Sequence, residues 1–174
     1  SAAVRMGCAG PAAPAFAGGA TDCVWRAALG ATDRVAVDPE PGRAHCSTIG
    51  DAAPRGLCGS GVVDLLANLL LTGWIDPVGT LDRSRPSPFI ETDGKRARYL
   101  LTPAEESPTH KPIAISETGI ENILRAKAAV YSASSLMLEQ LGLTWSDLGK
   151  IYIAGGFGRF LDLEKAIAIG LIPD

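Results

Sequence analysis

The stretch "KIYIAGGFGRFLDLEKAIAIG", residues 150–170, constrains the fold of this chain more than any other. Ile151, Tyr152, Ile153 and Ala154 carry a strand pattern, Gly155, Gly156 and Gly158 place three glycines within four positions, and a helical pattern follows. A strand that turns through glycine into a helix is a joint of α/β architecture. So much backbone freedom at the carboxyl end of a strand has two explanations. One is mechanical, a sharp turn; the other is a ligand that approaches the backbone too closely for a Cβ. Open α/β sheets bind their ligands at that edge. The spacing is not the G-x-G-x-x-G of dinucleotide folds, and it leaves both explanations open.

The remaining chain supplies further elements. Residues 1–20, rich in Ala, Gly and Pro, read as irregular. Val35 and Val37 alternate, Pro39 to Gly42 turn, and Ala44 to Ile49 return, which is a hairpin pattern. Glycines at 56, 59 and 61 precede a helix from Val62 with Leu65, Leu66, Leu69 and Leu70 on its apolar face, closed by Gly73. A second hairpin is expected around Asp93-Gly94, and a short strand at 113–116 leads into Ser116 as N-cap of a long helix, Glu117 to about Leu141. A short helical connection ("TWSDLG") leads to the strand at 151–154. Asp162 then caps the final helix, and Gly170 with Pro173 ends it.

Composition narrows the function. With 174 residues, 47% of them hydrophobic, the chain can bury one real core. The net charge of -3 and scattered lysines and arginines give no electrostatic footprint for nucleic acid. No apolar run reaches the about 20 residues of a membrane span, and no signal-peptide pattern opens the chain, so a cytoplasmic location is expected. Cys8, Cys23, Cys46 and Cys58 include no C-x-x-C, and only His45 and His110 could join them. That pattern argues against a zinc site or a ferredoxin-type cluster within the chain and for structural thiols, with Cys58 noted for its glycine neighbour.

Two further places bear on chemistry. On the long helix Ile120, Ile123, Leu124, Val130, Tyr131, Ser134, Leu138 and Leu141 form one stripe, and Lys127 falls in its middle. A lysine there must snorkel, pair with an acid, or meet a ligand; Arg125 points away and reads as solvated. Gly59-Ser60-Gly61 opens the earlier helix, where small residues leave amides exposed at a helix start, either as a plain turn or as an anion site. Asp64, in its first helical turn, is accounted for by the macrodipole without any ligand.

Taken together these motifs resemble a known superfamily. Strand-"AGGFGR"-helix is similar to the adenosine motif of the actin-like ATPases, "RAKAAVYSA" to the R-A-K helix of seventy-kilodalton chaperones, and "CGSGVVDLL" to the glycine-led helix after the second phosphate hairpin. Over nearly the whole chain "PAFAGG", "PRGLCGSGVVDLLANLLLTGWID", "IENILRAKAAVY" and "IYIAGGFGRFLDLEKAIAIGLIPD" resemble the C-terminal part of the reductive activators of corrinoid proteins. Three departures are visible: Ala13 and Ala17 replace a glycine and a glutamate of the family's G-P-A-F-E-G, and Ala128 stands where chaperones have arginine.

The resemblance implies an α/β actin-like (ribonuclease-H-like) ATPase subdomain, a mixed sheet with flanking helices and two β-hairpin excursions. Residues 1–174 would form one C-terminal subdomain, the phosphate hairpins and a ferredoxin domain lying upstream. It implies ATP with Mg2+ as cofactor of the full-length protein, with an iron–sulfur cluster only in the upstream part. A corrinoid protein returned from Co(II) to Co(I) would be the partner, homodimerisation being left open. Gly155, Gly156 and Gly158 would line adenosine and α-phosphate, Lys127 the ribose or base edge, and Arg159 the adenine. Gly59, Ser60 and Gly61 would face phosphate or ribose. The chain alone would be inactive. A small-molecule kinase, an activator of a dehydratase and a non-hydrolysing dimerisation module stand as alternatives.

Overall fold

The computed structural model describes residues 29–153, 158 and 160–173. The expected irregular segment 1–20 therefore lies outside the described residues. Among the described residues two three-stranded sheets carry the fold. In the first, β1 (Ala31–Val37) pairs antiparallel with β2 (Ala44–Thr48) and parallel with the short β3 (Gly56–Leu57), in the order β2-β1-β3, so this sheet is mixed. In the second, β4 (Ile90–Asp93), β5 (Arg96–Thr102) and β6 (Ile113–Ser116) run antiparallel in sequence order. Both hairpins fall where the sequence puts them.

α1 (Gly59–Leu71) begins three residues before Val62 and is apolar on nearly every side. Leu65, Leu66 and Leu69 are fully buried and Val62 nearly so, each worth about 1.5–3 kcal/mol against exposure. Thr72 caps the helix, and Gly73 follows at φ 73°. The β1–β2 turn joins the two sheets. Tyr99 of β5 donates its hydroxyl to the Gly42 carbonyl (2.7 Å) and Trp74 donates Nε1–H to the Asp38 carbonyl (3.2 Å). Gly42, at φ 84°, lies so close that a Cβ would fall 2.7 Å from the Trp74 ring. The Arg85 guanidinium covers that indole at 3.9 Å.

α2 (Glu117–Gln140) starts as expected, with the Ser116 hydroxyl accepting from the Gly119 amide at 3.1 Å. Its apolar stripe is buried only in part: Ile120, Ser134 and Leu138 face the core, whereas Val130, Tyr131 and Leu141 are exposed. Tyr131 stacks on Trp145 at 5.3 Å between ring centres. A single 3₁₀ turn (Trp145–Asp147) with a Thr144–Asp147 capping box follows. Ile151–Ile153, expected as a strand, carry no strand pairing; residue 154 lies outside the described residues. Asp162 then accepts from the Lys165 amide and caps α3 (Leu163–Ala168), which Gly170 ends at φ 68°. Among the described residues no helix is long and apolar enough to cross a membrane.

Glu117 fastens the second sheet to α2. Its Oε1 accepts from the Leu81 amide (3.1 Å), and its Oε2 from the Ala97 amide (2.9 Å) and Arg83 Nη2 (2.6 Å). Burial pushes its pKa up, but the Ala97 and Leu81 amides and the Arg83 guanidinium outweigh burial, and the carboxyl sits below its ordinary 4.5. A depressed pKa favours the folded state above the ordinary value, and that gain is lost as pH falls below 4.5 through the folded pKa. Glu117→Gln is therefore expected to cost about 2–3 kcal/mol at pH 7. The melting gap between wild type and variant should narrow as pH falls from 7 to about 3.5. A constant gap across that range would contradict this account.

Candidate functional site

The start of α1 is built by close backbone approach. The Cys58 amide bonds the Thr32 carbonyl at 3.0 Å, and a Cβ on Gly61 would lie 2.1 Å from that same oxygen. Gly61 is thus required by the packing of α1 on β1. Opposite this contact the β1–β2 register shifts between Thr32 and Arg34, so Asp33 is a bulge residue. Ser60 is buried, its hydroxyl 3.1 Å from Cys58 Sγ. The Cys58 side chain does not cap α1, so the first-turn amides are left without that partner. Cys46 and Cys58 are free thiols, and burial raises the Cys46 thiol to about 11, as suits structural cysteines.

One turn further on stands a group whose role the sequence reading missed. Asp64 is fully buried, and its Oδ2 accepts from Lys165 Nζ (2.8 Å) and from the Val35 amide (3.2 Å). The Val35 carbonyl accepts from Asn68 Nδ2 at 3.0 Å and faces Lys165 Nζ at 3.4 Å. β3 pairs with β1 only at Ala31 and Thr32. Beyond that point, side chains of α1 and α3 satisfy the strand where another strand could lie. A sequence signal was present: an aspartate inside "GVVDLLANLLL", a helix apolar all round, cannot reach water and needs a cation.

α3 lies beside α1 in parallel. Lys165 meets Asp64, whereas Ile167 and Ile169 line a cavity of about 280 Å³ with Leu66, Leu70, Leu124 and Lys127. The starts of both helices gather on β1, Gly61 against Thr32 and the α3 cap Asp162 within 3.5 Å of Arg34. Gly158 precedes α3, and a Cβ there would fall 2.7 Å from the Ile153 carbonyl, so the turn itself requires this glycine. Gly155, Gly156 and Arg159 lie outside the described residues. Gly61 and the cap of α3 thus both lie against the first half of β1, at Thr32 and Arg34.

Lys127 is elsewhere. Its ammonium donates to the carbonyl of Ile169, the C-cap of α3, at 2.7 Å. Half-buried, it meets no acid among the described residues and satisfies a helix end. That end is about 9 Å from the start of α3, the length of six residues at 1.5 Å each. Arg125 is exposed beside Glu121, as its position on the helix predicted.

The corrinoid activation enzyme RamQ of Eubacterium limosum is 36% identical over 167 residues, spanning 92% of this chain and 28% of that protein. A solved structure described as a reductive activator for corrinoid, iron-sulfur protein superposes with a TM-score of 0.82 at 39% identity, over 94% of this chain and 26% of that one. The chain thus spans about a quarter of the length of the relatives it matches. A family model described as the C-terminal domain of RACo, the ASKHA domain, matches residues 2–174. The expected α/β actin-like fold is the one these relatives share, and the chain belongs to the RACo C-terminal, ASKHA-domain family.

Proposed function

We propose that this chain is the C-terminal ASKHA part of an ATP-dependent reductive activase of corrinoid proteins and supplies the adenosine half of the ATP site. The observation that carries the reading is the convergence of α1 and α3, each led by glycine, at one end of β1. Amides at the uncapped start of α1 suit an anionic phosphate chain. Gly59, Ser60 and Gly61 would face the phosphate or ribose, while Gly155, Gly156, Gly158 and Arg159 would take the nucleoside. Lys127 keeps two ammonium donors beyond its bond to Ile169.

ATP supplies binding and hydrolysis free energy, which biases a closed arrangement of the protein only through tighter binding to that arrangement. Among the described residues no group of three or more His, Cys, Asp and Glu is placed to hold a metal. Mg2+ would accompany the phosphates of the bound nucleotide. The one-electron donor to Co(II), an iron–sulfur centre, would belong to a part of the protein outside this chain, acting in the cytoplasm on a corrinoid protein.

The test uses a polypeptide of the family's full length that contains this chain. ATP–Mg2+ is titrated calorimetrically, and conversion of a Co(II) corrinoid protein to Co(I) is followed by absorbance with a low-potential reductant. Binding together with ATP-dependent Co(I) formation is expected. Both should disappear in Gly156→Val at unchanged melting temperature. A full-length protein that binds no ATP, or makes Co(I) equally well without it, would refute the proposal.

A further inference from the structure

The two glycine-led helix starts need something to hold them in register. Among the described residues, one hydrogen-bonded contact links α1 to α3: Asp64 Oδ2 to Lys165 Nζ at 2.8 Å. The remaining packing is apolar, with Leu66, Ala166 and Ile169 in one buried core cluster. Apolar packing is non-directional and tolerates sliding. A buried charge pair does not. Asp64 has no exposure to water, and its Oδ1 is buried without a partner among the described residues. Any shift that separates the helices strands a carboxylate in the core.

The pair is also triangulated on the strand. Val35 gives its amide to Asp64 and its carbonyl to Asn68, with Lys165 Nζ 3.4 Å from the same carbonyl. Three elements thus share one reference residue. Asp64 follows Gly61 by three positions, and Lys165 follows Gly158 by seven. The tie therefore sits one turn beyond Gly61 on α1 and in the first turn of α3.

We propose that Asp64–Lys165 presets the nucleotide site: it locks α1 to α3, so that the start of α1 at Gly59–Gly61 and Gly158 ahead of α3 meet ATP in one fixed relation. Lys165 is then a positioning residue that does not touch the nucleotide. The proposal rests on the nucleotide reading above and adds to it the group that fixes the site's geometry. Preorganised groups bind without the ordering cost that mobile ones carry, so loss of the tie should appear in ATP affinity.

The experiment compares full-length wild type, Lys165→Met and Lys165→Arg at a temperature well below every melting transition. Lys165→Met should raise the Kd and KM for ATP roughly tenfold or more, with kcat changed less than about threefold. Lys165→Arg, which keeps the charge, should recover most of the affinity. If Lys165→Met lowers the melting temperature but leaves ATP affinity within twofold, the pair is only a stability element and the proposal is wrong. A wild type that binds no ATP overturns the nucleotide reading and this inference together, an outcome distinct from the previous one. A second measurement covers failure of the variant to fold. In the wild type, amide exchange of α1 and α3 should slow together on adding ATP, and slowing of one helix alone would overturn the proposal.

Discussion

Replacing Gly61 with alanine is expected to destabilise the domain by at least about 3 kcal/mol, or roughly 6–12 °C in melting temperature. The added Cβ would lie 2.1 Å from the Thr32 carbonyl oxygen and 2.9 Å from its carbon, so the obstacle is backbone and no rotamer relieves it. α1 must move off β1, and this helix carries Val62, Leu65, Leu66 and Leu69, all at the centre of the core. Gly149→Ala is the matched control, because nothing lies within 4 Å of its Cβ position and its φ is ordinary. That variant should be neutral or slightly stabilising through the unfolded state. Equal melting of the two variants would remove Gly61 from the packing of the helix on the strand.

Asp64→Ala is the second large effect, at about 2–4 kcal/mol. The substitution leaves the Val35 amide without its acceptor and the Lys165 ammonium without its counterion. The Lys165 side chain retains 24% exposure, so part of that charge can turn to water, which keeps the loss below that of a fully enclosed pair. A double-mutant cycle with Lys165→Met separates the terms: the second substitution should cost much less once the first is present. Additive losses would mean that the ion pair contributes little and that Asp64 acts through the Val35 amide alone.

Local chemistry made much of the fold legible. Pro39 to Gly42 and Asp93-Gly94 specify turns by conformation alone, and Ser116 and Asp162 cap the helices they were expected to cap. What stayed hidden depends on partners distant in sequence. The helix dipole does not account for Asp64, because α1 begins at Gly59 and leaves it beyond the first turn; its apolar setting calls for a cation, but nothing near it identifies a lysine 101 residues away. Lys127 bonds a carbonyl 42 residues on, a helix end that no periodicity can place opposite it. Ile151–Ile153 have the alternation of a strand, but a strand exists only with a neighbour to pair with, and pairing is not written in a single segment. The candidate site was legible as glycine-rich segments, whereas the physical reasons for Gly61 and Gly158, contacts with Thr32 and Ile153, required coordinates.

The shortness of α3 has a consequence for the order of folding. Six residues cannot sustain a helix in water, since nucleation is costly and few bonds follow it. The ties to Asp64 and Ile169 close separations of 101 and 42 residues, and loops of that length form after local hairpins and helices. The segment leading out of the glycine turn therefore acquires its structure late, once β1, α1 and α2 are already assembled. A chain arrested before that step would hold most of its core and still lack α3 and its ties to Asp64 and Lys127.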